Sequence, residues 1–127
     1  MLSLMSLGTA MNFREECQKL LDQYVSLYRK GDAAGCASVY SLEAELYSPF
    51  GPPAIGRQAI EAAHIDWVEG GAERKEINVL SAGHSGDLGW CIARYSEGTT
   101  GSGSSLNILA RQPDGSWAIT HCSLNET

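Results

Sequence analysis

YVSLYRKGDAAGCASVYSLEAELYSPFGPPAIGRQAI, residues 24–60, decides the fold. A helix runs into Gly31-Asp32, a short second helix follows, and a strand covers Ala44–Ser48. The loop Pro49-Phe50-Gly51-Pro52-Pro53 comes next, and Gly56-Arg57 opens a third helix. Helices first and strands after predict an α+β domain, a curved sheet wrapped around helices that leaves a cone able to hold a small ligand. The stretch points to a pocket and names no reaction.

On its N-terminal side, Asn12 and Glu15 have the spacing of a reciprocal helix cap. Cys17, Leu20, Leu21, Tyr24 and Tyr28 then recur on one helical face. Arg29 and Lys30 in the last turn and Gly31 beyond it suit the negative end of a helix dipole and a left-handed cap. Asp32 caps the second helix, with Cys36, Val39 and Tyr40 inward. The prolines and glycines between Pro49 and Gly56 forbid regular structure there. The third helix spans about Arg57–Glu69, with Ile60, His64, Trp67 and Val68 on one stripe and Gly70-Gly71 as its stop.

From Arg74 onward the period becomes two. Strands are expected near Arg74–Ala82, Leu88–Glu97, Ser105–Gln112 and Ser116–Leu124, with turns at Gly83–Asp87, Gly98–Ser104 and Pro113-Asp114-Gly115. No connection is long enough for a helical crossover, so these four strands form an antiparallel meander. The Gly-Ser tract at Gly98–Ser104 joins two strands and contains no Lys, which excludes a phosphate-binding loop.

The 127 residues suffice for one domain, placed at 12–126, that buries roughly two thirds of its unfolded surface. Residues 1–11 are read as a leader or loosely packed arm, with Met1, Met5 and Met11 as alternative starts. The four cysteines, Cys17, Cys36, Cys91 and Cys122, lie far apart and fit reduced core residues. A net charge of −6 without a basic run argues against nucleic acid and anionic membranes. No window is apolar enough to span a bilayer, and the first ten residues lack a basic signal region, so a cytoplasmic location is expected. Motifs for metal or nicotinamide chemistry are absent, and no cofactor is implied.

Tyr24 either fills the core or turns its phenol towards a ligand carbonyl. His121 shares strand phase with Trp117, Ile119, Ser123 and Asn125, and enters the cavity if that face is concave. As an imidazole it can move a proton near neutrality, or it is a structural hydrogen-bonder. His64, one turn before Trp67, is the second candidate base. On the strand of Leu88–Glu97, Cys91, Ala93 and Tyr95 face the helices, leaving Trp90, Ile92 and Arg94 on the outer face. An apolar patch of that kind predicts homodimerisation.

Gln23-Tyr24-Val25 before Gly31-Asp32, then Val39-Tyr40, Ala44–Pro49, Gly56-Arg57-Gln58-Ala59-Ile60, and Pro113-Asp114-Gly115-Ser116-Trp117 with Asn125, resemble the nuclear transport factor 2-like superfamily. The similarity is to its SnoaL-like and ketosteroid-isomerase-like branch. It implies a cystatin-like, cone-shaped barrel of a mostly antiparallel sheet around three N-terminal helices. Carried over from the isomerase, the oxyanion tyrosine falls on Tyr24, the second oxyanion donor near Asn107, and the general-base aspartate on Ser48. Serine cannot serve as that base unaided, so the family's aspartate mechanism is not expected.

Three readings follow. In the first, an apolar carbonyl compound binds in the cone, Tyr24 and Asn107 stabilise an enolate, and His121 or His64 moves the proton in isomerase- or lyase-like chemistry. In the second, Tyr24, Tyr47, Ser48, Phe50, Trp67, Trp117 and Ser123 contribute to a wall around an unreacted aromatic or apolar ligand. In the third, aromatics fill the cone and the protein is a dimeric association domain.

Overall fold

The structure, a computed structural model, describes residues 11–69, 72–98 and 101–126. The expected arm therefore lies outside the described residues except for Met11, as do Gly70-Gly71 and residues 99–100. Three helices come first: α1 (Phe13–Arg29), α2 (Ala33–Ser38) and α3 (Arg57–Glu69). Six strands follow or intervene: β1 (Tyr40–Ser48), β2 (Gly51–Ile55), β3 (Lys75–Ser85), β4 (Leu88–Glu97), β5 (Ser102–Arg111) and β6 (Trp117–Glu126). They make one sheet in the order β2-β1-β6-β5-β4-β3, antiparallel except for the β1–β6 pair. The fold is the expected α+β cone.

Local chemistry sets the helix ends. Asn12 accepts from the Glu15 amide at 2.8 Å and Glu15 accepts from the Asn12 amide at 3.2 Å, so two orphan donors are satisfied at once. Gly31 leaves α1 at φ +75°, a conformation that penalises a Cβ. Asp32 then accepts from the Gly35 amide at the start of α2. The inward face of α1 lies across β3, where Gln18 closes two bonds to the edge strand: its amide donates to the Ile77 carbonyl and accepts from the Val79 amide. An otherwise unpaired strand edge is thereby covered.

β3 runs on to Ser85 through the first residues of the expected Gly83–Asp87 turn, β5 starts at Ser102 inside the expected Gly98–Ser104 turn, and two departures are larger. First, β1 begins at Tyr40, not Ala44, and residues 51–55 form a strand despite Pro52 and Pro53. β2 is the sheet's edge, and Pro52 and Pro53 fall where its register with β1 is interrupted between Leu46–Ala54 and Ser48–Gly51, so neither breaks a regular ladder. Gly56, at φ +91°, then donates to the Ala44 carbonyl and turns the chain into α3.

Second, β6 does not keep one phase. Ile108 pairs with His121 but Leu109 pairs with Ile119, leaving Thr120 as an extra residue in a bulge. Trp117 and Ile119 face the core before the bulge and Cys122 after it, so His121 is carried to the outer face. The expectation that its imidazole enters the cavity is corrected.

Cys17, Leu21, Tyr24 and Tyr28 of α1, Ile60 of α3, and Val79, Cys91, Ala93, Leu109, Ile119 and Cys122 of the sheet form the core. All four cysteines are buried and free, and burial pushes the thiols of Cys36 and Cys122 up to about 12. β4 alternates as expected, with Cys91, Ala93 and Tyr95 inside and Trp90, Ile92 and Arg94 exposed. No helix among the described residues is long and apolar enough to cross a membrane.

Candidate functional site

The interior of the cone is a chamber of about 30 Å³, enough for roughly one water. α1 supplies Leu21 and Tyr24, β1 Tyr40, β3 Lys75 and Ile77, and β4 Tyr95. Ser105 and Asn107 come from β5, and Ile119, Cys122 and Leu124 from β6. Its walls hold more polar groups than a packing core needs, and each has a partner.

The Tyr24 hydroxyl lies 2.6 Å from Nε2 of His64, and Nδ1 of His64 lies 2.7 Å from the Ile60 carbonyl. A carbonyl can only accept, so Nδ1 carries the proton and donates to Ile60. Nε2 is then the acceptor of the Tyr24 proton. His64 has no solvent exposure, and burial lowers its pKa from 6.5 to about 4, leaving the imidazole neutral. Burial likewise raises the Tyr24 phenol well above its ordinary value. The pair is a neutral phenol donating to a neutral imidazole, and the base on α3 reaches the chamber only through Tyr24.

Opposite stands Asn107, 2 % exposed, whose amide donates to Ser105 Oγ at 3.0 Å. Lys75 was not singled out in the sequence, although its alternation with Ile77 and Val79 marks an inward position. Its ammonium pairs with Glu97 at 2.9 Å and sits over the rings of Tyr28 and Tyr95, 4.5 and 4.9 Å from their centroids. Tyr28 donates to the same Glu97 oxygen at 2.7 Å. Burial and then this bond raise its phenol pKa. Lys75 and Tyr95 therefore line the chamber, and Glu97 and the Tyr28 ring hold the Lys75 ammonium there.

Of the expected site residues, Tyr24, Asn107 and His64 come together. Ser48, Phe50 and Trp67 line a different space, a groove of about 380 Å³ between the β1–β2 turn and α3. Ser48 Oγ accepts from the Phe50 amide and holds the turn, which suits neither a base nor a chamber residue. Trp67 packs 4.8 Å from the His64 ring, so the imidazole is part of the partition between groove and chamber.

The remaining expected residues lie elsewhere. Tyr47 is exposed and donates to Glu45. Ser123 pairs with Tyr47 across the β1–β6 ladder and is not among the chamber residues. Trp117 is buried against Phe13 and donates to Glu16 from the start of β6, away from the chamber lining. His121 is exposed, with Nε2 3.8 Å from Glu45. Among the described residues no cluster of His, Cys, Asp or Glu could hold a metal ion.

No family model and no curated protein matches the sequence. Solved structures do match in fold. An NTF2-like protein with a cystatin-like fold from Novosphingobium aromaticivorans superposes with a TM-score of 0.68 at 22% identity, over 87% of this chain and 79% of that one. A ketosteroid isomerase-like protein from Erwinia carotovora atroseptica gives 0.71 at 14%, over 85% and 91%. A putative calcium/calmodulin-dependent protein kinase type II association domain from Thiobacillus denitrificans gives 0.70 at 13%, over 85% and 92%. The chain has the nuclear transport factor 2-like, cystatin-like fold.

Proposed function

We propose that the protein binds a small, largely apolar carbonyl compound inside the cone and moves a proton on it, in isomerase- or lyase-like chemistry. The observation that carries this reading is the Tyr24–His64 hydrogen bond at the chamber wall. The Tyr24 hydroxyl already donates its hydrogen bond to His64, so its oxygen is left as an acceptor. As a substrate C–H bond breaks, that oxygen takes the proton while the phenol proton passes to Nε2. The C–H electron pair moves onto the carbonyl oxygen as an enolate, which a hydrogen bond from the Asn107 amide would stabilise. Return of the proton at another carbon completes an isomerisation.

A chamber of about 30 Å³ admits such a compound only if wall residues move. Ile77 and Leu124 are the half-buried apolar residues of the lining, and their displacement would admit it. The test is incubation with small cyclic ketones in deuterium oxide. Wild-type protein should exchange deuterium into the ketone's α-positions above the buffer rate, and Tyr24→Phe should not. Binding at the chamber amides with no exchange would reduce the protein to a ligand carrier, and no binding there would overturn the reading.

A second reading, association through the outer sheet face, rests on the exposed Leu88, Trp90, Ile92 and Leu106, which form adjacent cross-strand rows. One structural neighbour is described as an association domain. Light scattering on size-exclusion fractions should give a dimer that Trp90→Lys dissociates. A wild-type monomer at micromolar concentration would sink this reading.

A further inference from the structure

We infer that the groove between the β1–β2 turn and α3 is a separate binding site for an organic ammonium ion carried on an apolar or aromatic body. Nothing in this depends on the chamber reading. The groove's volume of about 380 Å³ falls within the range usual for small-molecule sites, roughly 300–1,000 Å³. Phe50 and Trp67 meet in it edge to face, their centroids 6.0 Å apart and their planes at 79°. Pro52, Ala62 and Ala63 complete an apolar floor with small side chains that leave the space open.

The charge around this apolar corner has one sign. Asp66 lines the groove and makes no ion pair among the described residues. It belongs to the last turn of α3, where Glu69 follows and no basic residue offsets the negative end of the helix dipole. Two aromatic rings and a carboxylate without an ion pair in one groove favour a cation with an apolar body. The rings attract it through their quadrupoles and the carboxylate through a charge-assisted hydrogen bond. An anionic ligand meets repulsion, and so does a second copy of this chain, whose own net charge is −6.

The probe is phenethylammonium chloride, titrated into the full chain to about 10 mM and followed by amide and indole NMR shifts. Phenethyl alcohol and hydrocinnamate serve as neutral and anionic analogues. Shifts should centre on Phe50, Asp66 and Trp67, with the ammonium bound about tenfold more tightly than the alcohol. Asp66→Asn should weaken the ammonium about threefold and leave the alcohol unchanged, while Phe50→Ala, in an exposed turn, should weaken both. Equal affinity for alcohol and ammonium, an unresponsive Asp66→Asn, or no localised shift would overturn the inference. Groove shifts that follow protein concentration without ligand would also overturn it, since a second copy would then be the occupant.

Discussion

Tyr24 and His64, forty positions apart in the sequence, share a hydrogen bond of 2.6 Å that no solvent reaches from the His64 side. The bond fixes the imidazole tautomer, since Nδ1–H is held by Ile60, and it commits the phenol proton to the base behind it. What faces the chamber is a tyrosine oxygen whose proton already has an acceptor.

The first prediction concerns acid. Burial lowers His64 to about 4 against an ordinary 6.5. Between those values the unfolded chain binds a proton that the folded protein does not, so stability falls as pH falls through that window. The full effect is on the order of 3 kcal/mol. Urea unfolding at a series of pH values should show this slope in the wild type and a flatter one in His64→Asn. Nitrogen shifts of His64 should remain those of the neutral Nδ1–H tautomer below pH 6.5, until the pH approaches about 4. Equal slopes in the two proteins would refute the assignment.

Tyr24→Phe removes the hydroxyl that donates to Nε2 of His64 while preserving the ring's packing. A buried acceptor left without its partner costs about 1–3 kcal/mol. The urea midpoint should drop accordingly, with no change in the denaturant slope. A midpoint unchanged within error would mean that the hydrogen bond contributes nothing to the fold.

The ion pair at the chamber's other side should behave asymmetrically. Lys75 and Glu97 have side-chain exposures of 8% and 19%, so neutralising one partner leaves a mostly buried charge. Glu97→Gln is expected to destabilise by about 3 kcal/mol, whereas Lys75→Met with Glu97→Gln should recover part of that loss. Thermal or urea denaturation of the two single variants and the double variant closes the cycle. Strict additivity would show that the two charges do not depend on each other.

The sequence discloses what local chemistry controls. The α1 cap, the Gly31 exit and the alternation of β4 each depend on residues a few positions apart, and all are found where the residue types put them. The site was only partly legible. A strict two-residue period carried His121 into the cavity, because nothing around Thr120 announces the bulge that reverses the phase. Pro52 and Pro53 likewise concealed β2, since their cost depends on which edge of the sheet the strand occupies. Tyr24 and His64 were each visible on a helical stripe, but their pairing arises from how α1 and α3 pack and leaves no spacing to read.

If space limits the chamber, then trimming its half-buried apolar wall should trade stability for binding. Leu124 lines the chamber and is half-buried, so Leu124→Ala removes wall volume without touching Tyr24, His64 or Asn107. Truncation at a partly exposed site should cost about 2 kcal/mol, at the low end for a leucine. An enlarged apolar space takes up small apolar molecules. Cyclohexanone, titrated and followed at the amides of Tyr24 and Asn107, should therefore bind the variant more tightly than the wild type. The combined result, a lower melting temperature with tighter ketone binding, is specific to a closed but accessible chamber. A less stable variant with unchanged affinity would mean that the wall at Leu124 does not control entry, and attention would shift to Ile77 and the Lys75–Glu97 side.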